Sequence, residues 1–486
     1  ASTKTPQPIM ARCFIQKDKK LVDGKRYLIL DYLQDPGNIV TLIRTALAFG
    51  IDQVILSNEC VDLYNDKLLR SMQGAHFHLS CLYGDLKKII PALKEKGVCV
   101  VGSALENGRP IYEIQKQEFP LREKMVLFWH NHFVSTSQKV KVNWWIYQHN
   151  QILRENAFGN FRQLTKIMIQ TNAMVRYLDN TDNRKGKINE NLSRELLELF
   201  TLGIGNYTES DIKNGAKALA GLGLGENEAK YRAFFEDNDT ITYLGKTGNF
   251  KANDLVDIIF EQPNIPYLIT RKILKWFIYD NPKEELVKYY GDYLRTVDFE
   301  IEPLLLKIFT EEYEKKTSGS KIKNPLEYIL QLTEALQIKE IDATIIVFFI
   351  KQQGMDLFNQ QNVKGWDGGK SWLTSQLYLQ RNNVSDLLCN GRNINRKTFK
   401  NLPENGEELK ISLEKIDIRI NFNPKGTNKQ IIKELSDAYL FQIDENIQKD
   451  MEAILKYDFD ASSKNSQQAV VRLFNFITKS PEFQLI

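Results

Sequence analysis

Two clusters of residues carry types and spacings that could do chemistry. The first is Asp35-Pro36-Gly37-Asn38 with Arg44 six residues further on. Pro36 and Gly37 make a turn, and Asn38 falls at a helix start, where its amide can cap the helix or hold a ligand. Arg44 lies nearly two helical turns on, within reach of a phosphate or ribose near that end. The second cluster is His130 and His132 in Phe128-Trp129-His130-Asn131-His132-Phe133, with the carboxylates Glu190, Glu195 and Glu198 in a later helical segment. Two readings stand for it. Glu190, Arg194 and Glu198 have i, i+4 spacing and form a salt-bridge stripe opposite Leu192, Leu196 and Leu199. Alternatively His130, His132 and one of Glu190, Glu195 or Glu198 hold a divalent metal. On a helix, side chains two residues apart point about 200° from each other, so a shared metal would require a local break.

Three further segments resemble sites and are read as loops or packed turns. Gly245-Lys246-Thr247 ends like a phosphate loop, but Thr240 stands where the earlier glycine is required. Gly221-Leu222-Gly223-Leu224-Gly225 follows a helix rather than a strand and reads as a helix stop and loop. Trp366 and Trp372, with their neighbouring glycines, fit a sugar-stacking platform or a packed turn; the packed turn is the expectation.

The elements that must position these residues divide the chain into two parts. Over residues 27–103, short apolar runs at Tyr27 to Leu30, Val54 to Leu56 and Val98 to Val101 alternate with helical patterns, including Asn38 to Phe49. That order predicts a parallel α/β sheet. His76 and His78 have the period of one strand face. From about residue 117 helix-period segments dominate: 121–133, 144–156, 160–178, 190–201, 209–221, 253–261, 264–278, 283–295, 300–313, 325–352, 371–388, 428–456 and 465–478. Leu409 to Phe422 alternates like a β-hairpin. The expected architecture is an α/β half-domain followed by a mainly α-helical domain with a small β-hairpin.

The 486 residues suffice for several domains, and the 42% hydrophobic content builds ordinary cores. No apolar run has the length of a membrane span, and no signal-peptide pattern is visible, so the expected location is cytoplasmic. The net charge of +4 sits wholly within residues 1–110, where 15 basic residues face 11 acidic ones. This permits an RNA partner for the first part. The five cysteines lack metal-ligand spacing and fit reduced thiols.

Leu30 to Asn38, Arg44-Thr45-Ala46, Phe49-Gly50-Ile51, Val61 to Lys67, Ser71 to Gly74, Ala104 to Gly108 and Ile111-Tyr112 occur in an order and spacing that resembles the SpoU (TrmH-type) RNA 2′-O-methyltransferases. The resemblance covers about residues 1–114. It implies that Asn38 orients the site, that Arg44 contacts the target ribose and phosphate and helps activate the 2′-hydroxyl, and that S-adenosylmethionine is the methyl donor. The family's later motifs, a Gly-Asn-Glu-Gly-type loop and a Ser-Leu-Asn-type segment, are not found after Tyr112. The cofactor-binding half is therefore expected to be missing and the fragment inactive alone. A half-sheet leaves an apolar face, which the helical region or a second copy of the chain in a homodimer is expected to cover.

Phe128 to Phe133, Asn189 to Gly203, Val363 to Gly369 with Trp372, and Ser480-Pro481-Glu482-Phe483 resemble a bacterial family called domain of unknown function 1800, over about residues 118–486. Members of that family are often exported, and the resemblance implies a fold without a reaction. Besides a SpoU-like fragment joined to a helical domain, two alternatives stand. One is a metal-dependent enzyme or cell-envelope interaction protein residing in residues 118–486. The other is an artificial or misassembled fusion.

Overall fold

The computed structural model describes residues 20–22, 26–34, 39–40, 42–43, 46–47, 51–64, 72, 79–98, 120–315, 317–338, 341, 343–390, 418–443, 445–455, 459–460, 463 and 465–486. The chain divides into two compact units, residues 1–104 and 105–486. The first contains a three-stranded sheet, and the second is mostly helical with small antiparallel hairpins.

In the first unit β1 (Tyr27–Leu30), β2 (Gln53–Leu56) and β3 (Ser80–Tyr83) form a parallel sheet in that order. Val54 faces Leu28 on one side and Cys81 on the other. The central strand β2 is buried along its whole length, with Val54 and Ile55 fully inaccessible. A strand covered on both faces reads as a continuous apolar run rather than an alternating one. Its one polar member, Gln53, satisfies its whole amide: Nε2 donates to Lys20 O and Ser80 Oγ, and Oε1 accepts from Val22 N, each at 3.0 Å. Ile39, Val40, Ile43 and Ala46, on described helical residues, pack into the same core. The helix Leu86–Glu95 is capped by Asp85, whose side chain accepts from Lys87 N.

The third strand differs from the expectation. It lies at Ser80–Tyr83, a short run too mixed to stand out by composition. Val98 belongs to the turn after the preceding helix, its N–H bonded to Leu93 O, and 99–101 lie outside the described residues. His76 and His78 also lie outside them.

The second unit has two hydrophobic cores. One gathers buried side chains from Met125 to Ile308, the other from Ile322 to Phe483. The expected helices form, with breaks that local chemistry explains. The segment 160–178 divides into Phe161–Met168 and Asn172–Tyr177, because the Thr171 side chain caps Met174 N and starts a new helix. The segment 325–352 divides into Pro325–Ala335 and Ala343–Gln352, with Gln337 in the left-handed region at φ 51°. The segment 428–456 divides into Asn428–Tyr439 and Glu445–Ile454.

The hairpin expected at 409–422 lies outside the described residues up to 417, and the described part, 418–422, forms no strand. Hairpins occur elsewhere: Leu222–Gly223 pairs with Lys230–Tyr231, and Ile241–Tyr243 pairs with Lys246–Gly248. The second turns through Leu244 at φ 46° and Gly245 at φ 85°, two left-handed residues in succession as a tight two-residue hairpin loop requires. Gly245-Lys246 thus belongs to a hairpin and not to a phosphate loop. Among the described residues, no helix is long and apolar enough to cross a membrane.

Three buried histidines make the second unit acid-sensitive. Burial, reinforced by the neighbouring His149, brings His130 down to about 3. Burial brings His149 down to about 4, against a hydrogen bond to Phe133 O that raises it. His132 is lowered in the same direction. Below the ordinary value near 6.5, the unfolded chain takes up protons that the folded chain refuses. Stability is therefore complete above that pH and lost as pH falls toward 4, by up to roughly 1.4 kcal/mol per pH unit per histidine. Urea midpoints should fall between pH 7 and pH 4.5, and His130→Phe should reduce the slope. Equal midpoints at both pH values would contradict neutral burial.

Candidate functional site

The site begins at a helix end. The helix Asn191–Glu195 widens into a π-helical turn over Leu196–Thr201 and stops at Gly203, at φ 83°. Leu202 N and Gly203 N both bond back to Leu197 O at 3.0 Å. The last carbonyls of a helix have no partner inside it and need one from outside. Lys272 Nζ donates to Leu199 O at 2.8 Å, and His132 Nε2 lies 3.1 Å from Phe200 O. Lys272 Nζ also lies 3.1 Å from His132 Nδ1. An ammonium only donates, so Nδ1 accepts, and the imidazole proton sits on Nε2, directed at Phe200 O. His132 is held neutral, chiefly by burial and then by the charge of Lys272.

Lys272 comes from the helix Ile265–Phe277, which opens with Pro266 at its first turn. Burial pulls its amine down to about 8.

The residue before His132, Asn131, holds the loop 363–369. Its Oδ1 accepts from Trp366 N at 2.7 Å, and its Nδ2 donates to Trp366 O at 3.5 Å. Gly365 is at φ 81°, and a Cβ there would fall 2.3 Å from Asn131 Oδ1, so only glycine lets the loop lie this close. Lys275 Nζ donates to Asp367 O at 2.7 Å. The chain then enters a 3-10 turn, Gly369–Leu373, which carries Trp372.

These segments enclose a cavity of about 180 Å³. Phe128, Trp276, Trp366 and Trp372 supply aromatic walls, and Lys272, Lys275, Lys321 and Lys364 supply amines. Asp280 and Asp367 are its carboxylates. Lys321 is neutralised by Glu327 at 2.9 Å, which Lys124 also contacts at 2.9 Å. Burial alone would raise the Glu327 carboxyl, but the two ammoniums bring it to about 2. Among the described residues, Lys272, Lys275 and Lys364 make no ion pair within 4.0 Å. The indole nitrogens of Trp276 and Trp366 are buried without a hydrogen-bond partner. Three amines that make no ion pair suit an oxyanion.

The residues singled out in the sequence are placed as follows. Asn38 and Arg44 lie outside the described residues. His132 lines the cavity, whereas His130 packs against Phe358 and His149, with ring centroids 4.9 and 5.9 Å away. Arg194 bridges Glu190 at 3.0 Å and Glu209 at 2.9 Å, while Glu198 accepts from the Tyr207 hydroxyl. Glu195 is raised by burial and by Glu198, and lowered by Arg194 and Lys364.

No group of three or more His, Cys, Asp or Glu among the described residues is placed to hold a metal ion. His130, His132, Glu190, Glu195 and Glu198 are therefore not brought together as a ligand set. The helical screw gives the two histidines different surroundings, and both nitrogens of His132 are already engaged. Sequence reasoning missed Lys272, Lys275 and Trp276. They sit on an ordinary amphipathic pattern, and nothing local marks them.

Comparison with known proteins gives two family matches along the chain. Residues 25–129 match the SpoU rRNA Methylase family. Over 116 residues the chain is 45% identical to the 23S rRNA (guanosine(2553)-2'-O)-methyltransferase RlmP of Bacillus subtilis, covering 24% of this chain and 46% of that protein. It is 39% identical over 89 residues to rRNA methyltransferase 3A, mitochondrial, of Danio rerio, covering 18% and 20%. It is 31% identical over 103 residues to a putative TrmH family tRNA/rRNA methyltransferase of Staphylococcus epidermidis, covering 21% and 41%. The chain thus spans less than half the length of these curated relatives. Residues 105–485, which include the whole cavity and every segment that encloses it, match a family described as protein of unknown function (DUF1800), and the chain belongs to that family.

Proposed function

We propose that the cavity of the DUF1800 region is the working centre of this chain and that it binds an organic anion. One observation carries the reading: Lys272, Lys275 and Lys364 line one cavity and none makes an ion pair within 4.0 Å among the described residues. Lys272, whose ammonium meets only the Leu199 carbonyl and His132 among the described residues, and the exposed amines of Lys275 and Lys364 leave positive charge available to an anion. Three of the four segments that carry the DUF1800 resemblance contribute. Asn131 and His132 come from the first, the carbonyls of Leu199 and Phe200 from the second, and Trp366 and Trp372 from the third.

The SpoU-type region is read as a fragment that can contact RNA through residues 1–114 but does not complete methyl transfer by itself. Its support is the sequence after Tyr112, which continues into the DUF1800 region instead of the later methyltransferase motifs. The two family matches overlap at 105–129, which supports a fusion whose junction lies there. Asn38 and Arg44 keep their assigned roles in ribose contact only through that resemblance, and no S-adenosylmethionine step is derived.

Calorimetry of the whole chain with S-adenosylmethionine should give no saturable heat. Stoichiometric binding would overturn the reading of an incomplete fragment.

Sulfate, which does not titrate near neutrality, tests the anion site. It should quench tryptophan emission. Its affinity should fall as pH rises from 7 to 9, because Lys272 loses its charge near 8. Lys364→Met should weaken binding by about tenfold, as expected for one charged hydrogen bond. Lys272→Met should also weaken it and remove the pH dependence. Emission indifferent to sulfate at pH 7 would count against the site.

A further inference from the structure

Resting on the anion reading above, we infer that the ligand of this cavity is an acidic sugar: a single pyranose ring carrying a carboxylate or phosphate. Three kinds of lining group converge here, and each requires a different complement.

The amines of Lys272, Lys275 and Lys364, which make no ion pair within 4.0 Å among the described residues, call for an oxyanion. The carboxylates of Asp280 and Asp367 line the same cavity. Asp280 Oδ2 accepts from Ile322 N at 3.1 Å, and its Oδ1 has no hydrogen-bond donor among the described residues. An anion without hydroxyls would meet these carboxylates as like charges with nothing to donate to them. A polyhydroxylated anion presents donors to the carboxylates and its charge to the lysines.

The walls of Trp276, Trp366 and Trp372 require a flat apolar face, and the C–H face of a pyranose supplies one. Gly368 and Gly369, at φ 73° and 56°, turn the backbone beside Asp280 and Trp372. A Cβ at 369 would lie 3.4 Å from Asp280 Oδ1, and one at 368 would lie 3.8 Å from Trp372 Nε1. The volume of about 180 Å³ is below the roughly 300–1,000 Å³ of sites for drug-sized ligands, which suits one ring rather than a chain. The Trp366 and Trp372 segment therefore does more than close a packed turn.

Tryptophan emission of the whole chain is titrated with galacturonate, glucose 6-phosphate, galactose, benzoate and sulfate. The expected result is that galacturonate or glucose 6-phosphate binds at least about tenfold tighter than galactose, benzoate and sulfate. Which of the two binds identifies the acid group as carboxylate or phosphate. Asp280→Asn, which preserves shape and still accepts from Ile322 N, should weaken the acidic sugar about tenfold while sulfate, relieved of a like charge, binds at least as tightly as before. Benzoate or sulfate binding as tightly as both acidic sugars would overturn the sugar assignment while leaving the anion site standing. An Asp280→Asn effect equal for sugar and sulfate would also overturn it. Absence of binding by every anion in the series would overturn both.

Discussion

The carbonyls of Leu199 and Phe200 must find partners. They sit at the end of a π-helical turn, where the ladder of backbone hydrogen bonds runs out, and a buried carbonyl left alone costs roughly 1–3 kcal/mol. Lys272 and His132 answer that need, and much of the site follows from it. An amine bonded to a carbonyl and a neutral imidazole keeps its charge uncompensated. The imidazole, donating to one carbonyl and accepting from the amine, is fixed in a single tautomer. The helix Pro120–His132 that supplies His132 also carries Asn131, whose amide reaches the main chain of Trp366 and holds the glycine-rich loop against the cavity. A packing requirement inside the fold therefore also sets the electrostatics of the cavity.

The first unit obeys a different constraint. Its central strand is apolar enough to be covered on both faces, and the one polar side chain on it, Gln53, spends its full hydrogen-bonding capacity on neighbours. This is the interior of a parallel α/β sheet. Such a strand gives the unit a core but contributes no open polar group toward chemistry.

Element types were largely legible in the sequence because the helices of the second unit carry long apolar periodicities. Breaks were not, since each depends on one residue. Thr171 interrupts what periodicity alone reads as a continuous helix, and Ser80 to Tyr83 forms a strand that four mixed residues do not announce. The candidate site was half legible. The histidine segment and the Trp366 loop stand out by composition, and the structure joins them through Asn131. Lys272 and Lys275 do not stand out, because a lysine on a helix is ordinary until tertiary packing brings it to a carbonyl from a segment some seventy residues away. His130 and His132, two residues apart on a helix, have different neighbours, as the helical screw requires.

The central claim is that a cavity whose lysines outnumber its carboxylates lies between the helix Ile265–Phe277 and the loop 363–369 and takes an anion. A crystal grown or soaked with selenate, examined by anomalous scattering at the selenium edge, tests it most directly. The account predicts a selenium peak within hydrogen-bonding distance of Lys272 or Lys275 and beside the Trp366 indole. Well-ordered side chains around an empty cavity, with selenate bound only at exposed surface lysines, would contradict it.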